Sequence, residues 1–348
     1  PSVILASNKI NFDGVKGNFD NWNDYGKWMS KELINGRQDF SPSQKAFFQD
    51  LVKDAKTDRE KVQILYKHMQ NKVRYIGVQL GVGGLSPFPA SYVESKSYGD
   101  CKALSNYMLS MLDAVGIKSY YTEVHSGSNS DQDMSEDMMY LQGDHVILYV
   151  PLKDEEIWLE ATSQTSAFNY LGSFTSNRKV FIIDENGGRI LTSQTFTPDD
   201  NQLLVNGKAN ISSDGTLNFD FSEMSKGLLY ENSSYYSRLT EKDLNLRLKS
   251  RFSDLQGINF KKKEFNNSWE DAVFTSNFDL SVPNYAKIQG NNIIINMIPV
   301  NREETSVKKA KARKYDFKIQ NGYVNEVSYM LTLPEGYKLP TLFLPIII

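Results

Sequence analysis

Along this chain the spacing of apolar residues changes near residue 195, from a helical recurrence every three or four positions to a strand-like alternation, which divides what the chain can fold into. Phe19, Trp22, Tyr25, Trp28, Met29 and Leu33 keep helical spacing up to Asn35-Gly36, where a glycine can end a helix. Ser41-Pro42 sets an N-cap and a first-turn proline ahead of Phe47, Phe48, Leu51 and Val52. Thr57-Asp58-Arg59-Glu60 has capping-box spacing and leads into Val62, Leu65, Tyr66, Met69 and Val73. Residues 75–90, with Gly81, Gly83, Gly84, Pro87 and Pro89, break the periodicity and predict an ordered but irregular loop. Beyond it, Leu104, Tyr107, Met108, Met111, Leu112 and Val115 predict an amphipathic helix that ends at Gly116 and carries Cys101 in its first turn.

Strand patterns follow. Residues 119–124 read as one strand, 145–150 and 157–160 as a hairpin, and 180–183 as a further strand. After residue 195, turn signals at Asn206-Gly207, Asp214-Gly215, Gly290-Asn291 and Asn321-Gly322 separate alternating runs at 217–221, 274–282, 293–298 and 323–331. A helix opening near Thr240 and carrying Leu244, Leu248 and Phe252 interrupts them. The expectation is an α+β protein: an entry segment 1–40, an α+β core 41–192, and a β-rich, sandwich-like domain 193–348. The opening Pro1, without an initiator methionine or a signal-peptide pattern, suggests a processed or excised chain.

Composition removes several functions. Lys and Arg number 39 against 42 Asp and Glu, a formal net charge of −3, so no global positive field exists to hold a nucleic acid. No run approaches the ~18 apolar residues of a membrane-spanning helix, and the tail 342–348 is short and broken by Pro345. A single cysteine rules out an internal disulfide and a multi-thiolate zinc site, and there are only three histidines. Gly81-Val-Gly-Gly84 lacks the Lys-Ser/Thr ending of a phosphate loop, and the acidic stretch 131–137 lacks the glycine of a calcium loop. That stretch reads as a solvated loop long enough to cover a cleft. The basic run 308–314, with Lys261, Lys262 and Lys263, reads as a solvated strand edge. His68 and His125 have no partner at metal-ligand spacing. No cofactor or metal is expected, and no oligomeric state is legible.

One constellation can do chemistry. A cysteine opening a helix faces unpaired backbone N–H groups and the positive end of the macrodipole, both of which favour thiolate. Asp100 opposes this unless its carboxylate is occupied in capping. His145 opens the first hairpin strand, and pairing with i + j = 305 would set it opposite Glu160; any odd sum leaves the two on one face. A carboxylate there would fix the imidazole tautomer and stabilise its cation, completing a nucleophile, base and acid. A lone cysteine on an apolar helix is more often a small buried hydrophobe. The order of the three, Cys opening a helix, His opening a strand and acid closing the next strand, favours chemistry.

Tyr98-Gly-Asp-Cys-Lys-Ala-Leu-Ser-Asn-Tyr-Met, then Asp144-His-Val-Ile-Leu, then Ile157-Trp-Leu-Glu-Ala-Thr-Ser resemble the three ordered motifs of the bacterial transglutaminase-like superfamily, relatives of the papain-fold thiol enzymes. The resemblance covers roughly residues 42–190 and implies a papain-like transglutaminase core with Cys101 as nucleophile and His145 as base. Glu160 stands where that superfamily usually has Asp in an Asp-Pro-Thr-like motif, with Ala161 for Pro and Thr162 kept. The core with a β-rich domain after it is similar to multidomain bacterial proteins in which uncharacterised domains bracket such a core; that resemblance implies a further N-terminal β domain of which residues 1–40 would be the trailing edge, and the periplasm or cell envelope. The implied reaction is acyl transfer on a protein or peptide substrate, as hydrolysis by a peptidase or amidase or as transamidation. The Cys101 N–H is a natural oxyanion donor; the Gln79 amide is a second candidate, although a loop-stabilising role suits it better. The alternative is a degenerate core kept as a protein- or glycan-binding module.

Overall fold

Capping side chains start the helices where the spacing places them. The computed structural model describes residues 6–12, 14–78, 84–127, 133–297, 299–300, 314 and 320–338. The chain folds as two units, one of residues 1–195 with 269–271 and the other of residues 196–268 with 272–348.

In the first unit the hairpin β1 (Lys9–Phe12) and β2 (Val15–Asn18) precedes α1 (Trp22–Trp28), whose N-cap Asn21 accepts a hydrogen bond from the Asp24 N–H. A π-helical turn, Met29–Ile34, continues α1. Gly36, at φ 77°, takes the left-handed conformation just beyond it. Phe19 lies ahead of the cap and is buried all the same. Ser41 and Gln44 form a reciprocal capping box on α2 (Pro42–Leu51), and Thr57 caps α3 (Asp58–Lys72). After β3 (Arg74–Tyr75) comes α4 (Ala90–Lys96), for which only Ala90 and Val93 are buried, too few to show as a stripe. Then follow β4 (Tyr98–Gly99) and α5 (Cys101–Ala114).

α5 is a core helix, buried at 12 of its 14 positions. Its buried polar side chains are therefore paired. Ser105 Oγ donates to the Val146 carbonyl at 3.2 Å, and Asn106 Nδ2 donates to the carbonyls of Arg37 (2.9 Å) and Phe88 (3.1 Å). Gln38 Nε2 in turn donates to Asn106 Oδ1 at 2.5 Å, so one asparagine ties the segment before α2 and the segment before α4 to the central helix.

Beside α5 stands an antiparallel sheet of β5 (Tyr120–Val124), β6 (His145–Pro151), β7 (Glu156–Leu159), β8 (Lys179–Asp184) and β9 (Gly187–Thr192), in the order β7-β6-β5-β8-β9. The short helix α6 (Gly172–Thr175) lies between β7 and β8 in sequence. Leu148, Val150, Ile157 and Leu159 join the core of α3 and α5, whereas Ile147, Tyr149, Trp158, Val180 and Ile182 make a second apolar cluster. Alternate residues thus face opposite ways. In the β6–β7 hairpin Leu148 pairs with Leu159 and Tyr149 with Trp158, a sum of 307, so the register differs by two from the expected 305 and keeps its parity.

The second unit holds β10 (Gln202–Ile211), β11 (Leu217–Lys226), α7 (Glu241–Arg251), β12 (Asn259–Ser268), β13 (Val273–Val282), the small hairpin β14 (Lys287–Gln289) and β15 (Asn292–Ile294), and β16 (Val324–Thr332). Its main sheet has the order β12-β13-β11-β10-β16, with β16 parallel to β10 and the other neighbours antiparallel. Phe252, the C-cap of α7, packs on Phe221 and Phe278, and an Arg251–Glu223 ion pair ties α7 to β11. Among the described residues this unit is a five-stranded sheet with a helix against it and a separate two-stranded hairpin, where a sandwich was expected.

Two local expectations change. Asn206-Gly207 is no turn but lies inside β10, where a Cβ on Gly207 would come 2.6 Å from both the Phe221 Cβ and the Asp220 carbonyl oxygen. The glycine serves close packing of the Phe219 and Phe221 rings. The strand expected over 293–298 ends with β15 at Ile294. Asp214-Gly215 and Gly290-Asn291 do close hairpins, with Gly215 at φ 84° and Gly290 at φ 59°. Most of the basic run 308–314 and all of the tail 342–348 lie outside the described residues. Among the described residues no helix is long and apolar enough to cross a membrane.

Candidate active site

The site begins with how Cys101 is held. β3 and β4 pair in parallel, the Arg74 N–H donating to Ser97 and the Ile76 N–H to Gly99 at 2.9 Å each, which fixes the chain just before α5. Asp100 is the N-cap: its Oδ1 accepts the Ala103 N–H at 3.0 Å. Its Oδ2 lies 2.5 Å from Lys102 Nζ, with both side chains almost fully buried. The carboxylate that would oppose a thiolate at position 101 is thus occupied twice. Cys101 itself is 3% exposed and belongs to an apolar cluster with Tyr121, Met134 and Val146.

His145 opens β6 and Glu160 follows the last residue of β7. Their shared face brings His145 Nε2 to 2.8 Å from Glu160 Oε2. The other carboxylate oxygen, Oε1, accepts the Thr162 N–H at 2.9 Å and the Thr162 hydroxyl at 2.5 Å, and the Glu160 carbonyl accepts the Tyr66 hydroxyl at 2.9 Å. Burial disfavours charge on Glu160, yet the imidazole and the two Thr162 donors outweigh it and hold the carboxyl below its usual range. Burial also works against a charged His145, but Glu160 and the neighbouring Cys101 prevail and raise its pKa to about 10. With Nε2 committed to Glu160, Nδ1 is the ring nitrogen left for further proton exchange.

Imidazole and carboxylate are in direct contact, and Cys101 lies close enough to act on the imidazole electrostatically. Phe174 of α6 sets its ring edge-on to that of His145 at 5.6 Å and is half exposed, so an aromatic wall stands beside the imidazole. Of the four residues singled out from sequence, Cys101, His145 and Glu160 come together here. Gln79 lies outside the described residues. Among the described residues no cluster of three or more His, Cys, Asp or Glu could hold a metal ion.

No protein-family model and no curated protein matches the chain. A solved structure described as "a putative protease from Parabacteroides distasonis" is similar to it at 15% identity and a TM-score of 0.42, over 77% of this chain and 54% of its own. Another, described as "a putative cysteine protease from Cytophaga hutchinsonii", reaches 13% identity and a TM-score of 0.30, over 46% of this chain and 51% of its own. The chain spans about half the length of each.

Two neighbours of the site were not singled out. Tyr75 is nearly half exposed; partial burial, then the nearby charges of Cys101, Asp100 and Glu160, raise its pKa. A two-residue strand has no readable period, so nothing in the sequence announced that Tyr75 would lie beside Gly99. Lys102 did carry a signal: a cation in the first turn of an apolar helix runs against the macrodipole and calls for a local reason.

Proposed function

We propose that the first unit is a thiol-dependent acyl-transfer enzyme, transglutaminase-like in its core, that acts on amide bonds of proteins or peptides. Cys101 is the nucleophile, His145 the acid and base, and Glu160 the residue that orients and charges the imidazole. The observation that carries this reading is the 2.8 Å contact of His145 Nε2 with Glu160 Oε2, on a ring whose pKa Cys101 also helps to raise.

In the first half-reaction His145 already carries the proton as an imidazolium, and the Cys101 sulfur paired with it attacks the amide carbonyl carbon as a thiolate. The carbonyl oxygen becomes an oxyanion, toward which the Cys101 N–H at the start of α5 can donate. The carbon–nitrogen bond then breaks as the imidazolium gives its proton to the departing amine, leaving a thioester on Cys101. Water or a second amine, deprotonated by His145, attacks the thioester and releases the sulfur. Water gives hydrolysis; an amine gives transamidation.

Alkylation of Cys101 by iodoacetamide at neutral pH tests this. His145→Ala is expected to slow it about 100-fold, within the usual range for a lost general base. Equal rates in the two proteins would refute the proposal. The 3% exposure of Cys101 favours a second reading, a binding module whose sulfur substrate does not reach. On that reading alkylation is slow in both.

A further inference from the structure

Lys102 is 6% exposed and Asp100 2%, and a lysine is among the residues least often buried without a task. Its place is unfavourable twice over, in a dry interior and in the first turn of a helix whose dipole repels cations. The ammonium lies 2.5 Å from Asp100 Oδ2, one residue to the other side of Cys101. Asp100 is needed there as the N-cap, since its Oδ1 holds the Ala103 N–H. A cap that is also an anion brings a negative charge to the residue next to the sulfur. A cation on the following residue cancels it.

Resting on the acyl-transfer reading of this site, we propose that Lys102 is a positioning residue whose charge neutralises Asp100, so that the N–H groups and dipole of α5 act on the Cys101 sulfur unopposed. The other titratable groups around this end of α5 are His145 on β6, Glu160 after β7, Tyr75 on β3, and Tyr121 and Glu123 on β5, with Tyr25 of α1 hydrogen-bonded to Glu123. Lys102 also acts on Glu123, whose ionisation it favours, so its charge bears on two carboxyl groups. Among the described residues, Asp100 is the carboxylate with which it forms an ion pair.

The test is the pH dependence of Cys101 alkylation by iodoacetamide in the full chain. Lys102→Met leaves the Asp100 charge beside the sulfur, and the midpoint is expected to rise by about one unit, with a rate at pH 7 about tenfold lower. Lys102→Arg is expected to restore the wild-type profile. Asp100→Asn keeps a capping side chain without the charge, and is expected to lower the midpoint alone and to rescue Lys102→Met when combined with it. A structural role for Lys102 predicts no such rescue, so a double variant as slow as Lys102→Met would overturn the proposal. An unshifted midpoint in Lys102→Met would do the same, and should that variant fail to fold, an unshifted midpoint in Asp100→Asn decides against it equally. A wild-type midpoint no lower than an ordinary thiol, about 8.5, would instead refute the acyl-transfer reading on which this rests.

Discussion

His145 Nε2 and Glu160 Oε2 meet at 2.8 Å although the hairpin that carries them does not set the two residues directly opposite. The β6–β7 ladder runs at a sum of 307, which would oppose His145 to position 162, two residues beyond Glu160. A side chain long enough to span the diagonal is therefore needed, and a glutamate supplies the extra methylene that an aspartate lacks. Glu160→Asp is expected to lose most of the contact, and Glu160→Gln to remove its charge. In Glu160→Gln the imidazole pKa should fall from about 10 by about 1–3 units, followed by NMR titration of the ring; an unchanged value would show that Glu160 does not set it.

The same pair makes stability depend on pH in two directions. His145 is raised when folded, so its contribution is complete below its ordinary 6.5 and is lost as pH rises through about 10. Glu160 is lowered when folded, so its contribution is present above its ordinary 4.5 and is lost as pH falls through the folded value. The difference in Tm between wild type and His145→Ala should be level between about pH 5 and 6.5 and shrink as pH rises toward about 10. A parallel profile in the variant would contradict the linkage.

Glu123 has the opposite sign. Burial raises its carboxyl to about 7 against the help of Tyr25 and Lys102, so stability is lost as pH climbs from its ordinary 4.5 past about 7. Glu123→Gln keeps an acceptor for the Tyr25 hydroxyl and sheds the charge. Its Tm is expected to exceed wild type by about 2–4 °C at pH 8 and to match it at pH 4. A lower Tm at pH 8 would refute this.

Gly26 in α1 lies against β9 so closely that a Cβ there would stand 2.4 Å from the Gly187 carbonyl carbon and the Gly188 nitrogen. Backbone cannot yield as a flexible side chain does. Gly26→Ala is expected to cost at least about 1–3 kcal/mol in urea unfolding despite alanine's better helix propensity. A stabilised variant would mean that α1 moves freely against β9.

What could be read from sequence was local or rested on parity. The caps at Ser41, Thr57 and Thr240 appear where their spacing sets them, because a capping side chain acts on its own helix. His145 and Glu160 share a face because parity survives a two-residue shift of register. Features that depend on distant chain were not legible. Asn206-Gly207 carries the strongest hairpin signal, yet the aromatic rings of β11 claim that glycine for packing. The parallel pairing of β16 with β10, across more than a hundred residues, leaves no local mark. Nor does the β3–β4 contact that sets Tyr75 near Cys101.

The acyl-enzyme itself is the most direct test. Incubation with p-nitrophenyl acetate, followed by intact-mass and peptide mapping, should show one acetyl group per chain, on Cys101 as a hydroxylamine-labile thioester, and none in Cys101→Ser or at comparable speed in His145→Ala. Acetylation confined to lysines, or equal in wild type and Cys101→Ser, would contradict the account.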